Sequence, residues 1–137
     1  RIAPLPIHPS TNKICCGLMV EVAMKAAEEL KKEGINAAVI NAYCIKPLAE
    51  NVILEYAKKT QAMVTVEDHS VIGGLGAAVA QVTSAKCPAV VRTVGVQDRF
   101  GESGLQDDLF EKYGLTAQHI VEEAKKAIAI KEGKANV

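Results

Sequence analysis

Aromatic residues are scarce in this chain of 137 residues: they make up 4% of it, and tryptophan is absent. So few rings leave little from which to build an aromatic-lined ligand pocket, and the composition favours close packing of helices on a sheet. Net charge is missing as well. Lys plus Arg and Asp plus Glu stand at 16 each, so no overall field draws nucleic acid or anionic lipid to the protein, and neither partner is expected. The apolar run Ile14 to Val20 is far shorter than the roughly 20 residues that span a bilayer, and no cationic segment with an apolar stretch opens the chain. A cytoplasmic protein without a membrane segment is the expectation. Of the four cysteines, Cys15 and Cys16 are adjacent while Cys44 and Cys87 stand alone. No Cys-x-x-Cys pair exists for a zinc or redox site, and buried, reduced thiols are expected.

What the chain does have is an ordinary globular balance, 49% apolar and 23% charged, at a length that fits one domain with one core. Its order of elements is regular. Ile14 to Cys16, ended by Gly17, reads as a strand, and Val22, Ala23, Ala26, Ala27 and Leu30 then recur at helical spacing up to Lys31, Lys32 and Gly34. Ala37 to Asn41 is the next strand. Pro47 opens a second helix with Ile53, Leu54 and Ala57 on one face, and Ala62 to Val66 is a third strand. Leu75, Ala78, Val79 and Val82 define a third helix after Gly73-Gly74, and Ala89 to Val94 a fourth strand. Two helices close the chain, one from about Leu105 to Tyr113 with Asp107 and Asp108 in its first turn and Ser103 as its N-cap, the other capped by Thr116. Strands alternating with helices in this way imply right-handed crossovers and a mostly parallel sheet covered on both faces. The expected fold is therefore a three-layer α/β/α domain over residues 13–130. Residues 1–12, with three prolines, form an arm or edge strand, and 131–137 a frayed tail.

Three places carry enough chemistry to be weighed as sites. Gly74-Leu75-Gly76 resembles the start of a dinucleotide fingerprint, but Val79 fills the third glycine position and Glu67 to Ile72 separates the glycines from the strand, so glycine-rich helix entry is the expectation. Gly101-Glu102-Ser103-Gly104 lacks the glycine spacing of a nucleophile elbow. Glu67-Asp68-His69 is the densest titratable cluster and follows a strand end, where open α/β sheets hold ligands. His69 is the one candidate general acid or base. Three consecutive residues do not converge on one atom, so the cluster is expected to hydrogen-bond loop amides or the Asp98-Arg99 segment rather than bind metal. Arg99 is expected to pair with Asp98, Glu102 or Glu67 as a loop clamp, with Phe100 as an apolar anchor. His8 and His119 belong to no partner pattern, and His119 is expected on the exposed side of its helix.

Several runs in register now resemble a known family: Ile35 to Asn41, Ile45-Lys46-Pro47-Leu48, Val64 to Ser70, Gly73-Gly74-Leu75-Gly76, and Asp98-Arg99-Phe100-Gly101-Glu102-Ser103-Gly104 with Leu109 and Lys112 to Leu115. In this order they are similar to the C-terminal domain of transketolases, especially those whose two halves are separate chains. The resemblance covers about Lys13 to Ile130 and implies a mixed sheet of about five strands, one edge strand antiparallel. It implies a parent enzyme of the pentose phosphate pathway that moves two-carbon ketol units between sugar phosphates, using thiamine diphosphate and magnesium bound on other domains. This domain then holds no cofactor, and the absence of any Asp-Gly pair agrees with that. Its partners are the remaining transketolase domains or subunit, in a homodimer or heterotetramer. Interface or clamp residues would be drawn from Glu67, Asp68, His69, Gly73, Gly74, Gly76, Asp98, Arg99, Phe100, Glu102 and Ser103. The same domain occurs in deoxyxylulose-phosphate synthase and in 2-oxo acid dehydrogenase beta chains, and a free-standing nucleotide- or phosphate-binding module using Gly73 to Gly76 and Arg99 is the rival.

Overall fold

The computed structural model describes residues 11–15, 17–97 and 103–134. Their elements run β1 (Thr11–Cys15), α1 (Met19–Lys32), β2 (Ala37–Asn41), α2 (Glu50–Thr60), β3 (Ala62–Ser70), α3 (Leu75–Lys86), β4 (Val90–Val96), α4 (Gln106–Lys112) and α5 (Ala117–Lys131). Among the described residues the sheet has four strands in the order β2-β1-β3-β4. All three pairings are parallel, with Ile14 opposite both Ile40 and Thr65, and Val64 opposite Arg92. The α/β architecture agrees with the expectation. The strand count among the described residues is one short of the five expected, and the N-terminal segment read as an arm or edge strand lies, before Thr11, outside the described residues.

Side chains alternate across the sheet and so feed two separate cores. On one face Cys15, Val39, Val64, Val66 and Val94 meet α1 and α5. On the other, Ile14, Ile40 and Met63 meet α2 and α3. The face α1 buries is Met19, Ala23, Ala26, Ala27 and Leu30, spaced as one helical stripe, and full burial of side chains such as Met19 and Leu30 is worth roughly 1.5–3 kcal/mol each. Glycine after the helix stops α1 as expected: the Gly34 amide donates to Lys31 and the Ile35 amide reaches the Leu30 carbonyl. At α5 the Thr116 hydroxyl accepts from the His119 amide at 3.2 Å, the N-cap bond that satisfies an otherwise orphaned donor. Among the described residues no helix is long and apolar enough to cross a membrane.

Several boundaries move. β1 begins at Thr11, so the strand takes in two residues that the sequence assigns to the arm. α2 begins at Glu50, with residues 45–49 forming a connection ahead of it, so Pro47 precedes the helix rather than opening it. α4 has Leu105 in the N-cap position without a side-chain cap bond, and Ser103 is exposed two residues earlier, so Ser103 is not the cap. β3 is the largest change. It runs to Ser70 rather than Val66, with an irregularity against β4 between Val66 and Ser70.

Candidate functional site

The extension of β3 places Glu67 inside the molecule, fully buried. Its carboxylate points at the start of α3, where Oε1 accepts from the Leu75 amide at 3.0 Å and Oε2 from the Gly76 amide at 2.9 Å. A helix begins with unsatisfied amides and a partial positive charge, so a carboxylate there is favourable. Gly74 makes room for it, and Gly76 lets the helix start close onto Thr65 and Thr93. A Cβ on Gly74 would stand 1.9 Å from Glu67 Oε1 and 2.8 Å from the Ser70 carbonyl oxygen. One on Gly76 would stand 2.5 Å from Thr93 Cγ2 and 2.8 Å from Thr65 Oγ1. With β3 ending at Ser70, the glycine turn does follow a strand end directly, which removes the separation that the sequence suggested. What argues against a phosphate at this helix start is that an internal carboxylate already takes its amides.

Asp68 and His69 do not join Glu67. Asp68 is half-buried, and its Oδ1 lies 3.0 Å from Nδ1 of His69, whose side chain is 64% exposed. The three titratable residues thus spread along the strand end, one inward and one in solvent. Gly73, with φ of 70°, makes the turn before α3. Asp98, Arg99, Phe100 and Glu102 lie outside the described residues, as does Cys16. Of the other cysteines, Cys15 is buried beside the Ile40 carbonyl, whereas Cys44 is exposed and donates to the Lys46 carbonyl at 2.8 Å, so burial of all the thiols does not hold. The reason is local: Cys44 sits past the end of β2 on the connection to α2, beyond the covered part of the sheet.

Depressions among the described residues flank the sheet. One, of about 400 Å³, lies between the 45–48 segment and α3, lined by Ile45, Pro47, Leu48, Ala78 and Val82. Another, of about 300 Å³, runs along β4 past Arg92, Gln97, His119 and Glu123. His119 is half-buried here rather than on a solvated face. Arg92 Nε donates to Glu123 Oε2 at 2.6 Å, and Lys126 Nζ to Glu123 Oε1 at 2.8 Å. Burial alone would raise the Glu123 carboxyl, but the bonds from Arg92 and Lys126 outweigh it and hold the group below the usual carboxylate range. The pair ties α5 to β4 and leaves the guanidinium engaged. Among the described residues no group of three or more His, Cys, Asp or Glu side chains is arranged to hold a metal ion.

Sequence reasoning missed Lys13 and the Arg92–Glu123 pair. Lys13 is fully buried in β1, and its Nζ has no hydrogen-bond partner among the described residues. Burial pushes its ammonium down to about 7 from 10.5, against a smaller upward pull from Cys15. No local signal marks Lys13: its burial follows from the place of β1 as an inner strand of a parallel sheet, where both faces are covered.

Comparison with known proteins matches residues 14–120 to the family described as transketolase, C-terminal domain. A 6-deoxy-6-sulfo-D-fructose transketolase subunit of Clostridium sp. (strain MSTE9) is 51% identical over 81% of this chain and 34% of its own length. A 1-deoxy-D-xylulose-5-phosphate synthase of Heliobacterium modesticaldum is 35% identical over 90% of this chain and 19% of its own. Among solved structures, a split-gene transketolase described as an inactive beta4 tetramer superposes with a TM-score of 0.89 at 44% identity, covering 96% of this chain and 43% of that one. The chain therefore spans about a third or less of the length of these two curated relatives.

Proposed function

Because the chain belongs to the transketolase C-terminal domain family, we propose that it is the scaffold and subunit-contact domain of a thiamine-diphosphate-dependent transketolase, an enzyme of pentose phosphate interconversion in the cytoplasm. The complete enzyme transfers two-carbon ketol units between sugar phosphates. Its partner is the remaining transketolase polypeptide, in an assembly with two-fold symmetry. The family match is supported by relatives that are transketolase subunits and by a structural neighbour that forms a tetramer of its own chain.

The observation that carries the scaffold reading is the Glu67 carboxylate in the first turn of α3. A diphosphate needs helix-start amides or a metal held by carboxylates. Here the Leu75 and Gly76 amides of α3 are satisfied from within the domain, so the glycine-rich start of α3 does not fit the diphosphate end of the cofactor. Thiamine diphosphate, bound elsewhere in the complete enzyme, supplies the carbanion chemistry. The same occupied helix start weighs against the rival nucleotide- or phosphate-binding module. Titration calorimetry of the isolated chain with magnesium and thiamine diphosphate is expected to give no saturable heat. Micromolar binding would overturn the reading.

His69 then has no proton to move. His69→Ala, placed in the assembled enzyme, is expected to change kcat by less than about tenfold, since its neighbour is Asp68 and its ring stands in solvent. A loss of about a hundredfold or more in a variant that assembles normally would make His69 a general acid or base instead. The relative that synthesises deoxyxylulose phosphate supports a second reading, the same domain in that enzyme. Formation of 1-deoxy-D-xylulose 5-phosphate by the assembled protein, rather than ketol transfer between sugar phosphates, would select it.

A further inference from the structure

The register of the sheet shows which of its two cores holds the unpartnered Nζ of Lys13. Lys13 stands opposite Val39 of β2 and Val64 of β3. Both valines lie in the core that α1 and α5 cover, so the lysine side chain lies on that face and not on the face of α2 and α3. The helices above it present apolar groups. α1 buries only methionine, alanine and leucine side chains, and α5, apart from Glu123, only Ile120, Val121, Ala124 and Ala127. A buried ammonium needs acceptors, and these side chains offer none.

The titratable groups on this face are engaged or peripheral. β4 supplies Arg92, opposite Val64. α5 supplies Glu123, whose two oxygens accept from Arg92 Nε at 2.6 Å and Lys126 Nζ at 2.8 Å. On β1 itself the Cys15 thiol donates to the Ile40 carbonyl. β2 has no ionisable side chain, and Glu67 of β3 is bound to the start of α3 on the other face. The ionisable side chains of α1 are all exposed, and His119 and Tyr113 are half-buried at the start of α5 and the end of α4. Lys131 Nζ donates to the Thr60 carbonyl. A proton on Lys13 therefore meets no free counter-charge.

Of the two helices above the lysine, α5 is the one that can leave the sheet. α1 lies between β1 and β2 in the chain, so lifting it pulls on two strands, whereas α5 comes after β4 and draws out none of the described strands. Two of its four buried apolar side chains are alanines, which hold it with little area. Its tie to α1 is the ion pair of Lys125 with Glu33, open to solvent on both sides and therefore weak. We infer that α5 is a proton-released cover over Lys13: uptake of a proton by the lysine favours a state in which α5 lifts from the sheet while α2 and α3 stay packed on the other face. In the closed state burial holds the amine at about 7, and water returns it towards 10.5 once the cover is off. Opening thus takes up a proton between these values. It becomes about tenfold easier for each unit that pH falls towards 7 and changes no further below, where both states are protonated.

Amide hydrogen exchange of the chain between about pH 6 and 9, corrected for the intrinsic rate at each pH, reads each helix separately. Complete unfolding also uncovers Lys13, so the mark of a cover is that α5 opens ahead of the rest. The amides of Val121, Ala124 and Ala127 are expected to exchange at least about tenfold faster than those of Met63 and Val79, in β3 and α3. Their open fraction is expected to rise about a hundredfold from pH 9 to 7 and to level off below. In Lys13→Met the faster opening of α5 is expected to lose this pH dependence, although Cys15, Tyr113, His119 and Glu123 are all retained. Wild-type α5 amides that exchange no faster than those of Met63 and Val79 would show that the helix leaves only when everything unfolds, and the inference fails. It fails equally if α5 opens early but to the same extent at every pH, or if Lys13→Met keeps the wild-type pH dependence. The first two outcomes are read on the wild type alone, so they decide even where the variant does not fold.

Discussion

Lys13→Met is expected to make the protein more stable at pH 7 by several kcal/mol, and most of the gain is expected to disappear in alkali. The side chain is fully buried in β1 without a hydrogen-bond partner for its Nζ among the described residues. Methionine is of similar length and places a thioether where the ammonium stands, so the surrounding side chains need not move far. A fall of the ammonium from 10.5 to about 7 corresponds to a destabilisation on the order of 5 kcal/mol, at 1.36 kcal/mol per tenfold.

The sign follows from linkage. Below about pH 7 the lysine is protonated in both folded and unfolded chains, and the whole cost is present. Between about 7 and 10.5 the unfolded chain holds the proton and the folded chain does not, so stability rises with pH. Above 10.5 both are neutral and the cost of the charge is gone, leaving only the smaller one of burying an unpartnered amine. Urea midpoints of wild type and variant, measured at a series of pH values, should therefore lie furthest apart at and below neutrality and converge towards pH 10.5. Other groups titrate in both proteins and cancel in the difference. Midpoints that stay a constant distance apart at every pH, or a variant that is less stable at neutrality, would show that the ammonium is paired in the folded protein.

Lys13 also shows where reading the sequence stops. The alternation of strands and helices, the Thr116 cap and the glycine stop after α1 are local signals, carried by residues within a few positions of one another, and they are legible. A lysine beside isoleucine carries the default expectation of a surface residue. Only the strand order reveals otherwise: β1 is flanked by β2 and β3 and covered by helices on both faces, and that order is a long-range property. Glu67 was obscured differently. Three consecutive polar residues, Glu67, Asp68 and His69, break an apolar run and look like the end of a strand. The strand continues because the amides of α3, eight and nine residues later, bond the first of those residues inside. The cluster was therefore visible as a cluster, but its division into one buried cap and one solvated histidine was not. Asp98, Arg99, Phe100 and Glu102 lie outside the described residues.

The second large effect belongs to that cap. Glu67→Ala is expected to destabilise the fold by about 2–4 kcal/mol, because it leaves two helix-start amides buried without an acceptor and opens a void beside them. Glu67→Gln separates these contributions. It keeps the volume and one carbonyl acceptor but turns an NH₂ towards an amide donor, so a loss of about 1–3 kcal/mol is expected from the mismatch alone. Gly74→Ala attacks the same contact from the other side, since its Cβ would fall 1.9 Å from Oε1 of Glu67. Either the carboxylate or the turn must move, and an effect comparable with that of Glu67→Ala is expected. If both act only by displacing the carboxylate, then Glu67→Ala and Gly74→Ala combined should cost much less than the total of the two single changes, since neighbours that share one interaction are not additive. Denaturant midpoints of the two single variants and the double variant measure this. Full additivity would mean that Gly74 serves the backbone turn alone, and a stable, wild-type-like Glu67→Ala would mean that the start of α3 takes its acceptors from elsewhere, reopening it as a site for an anionic ligand.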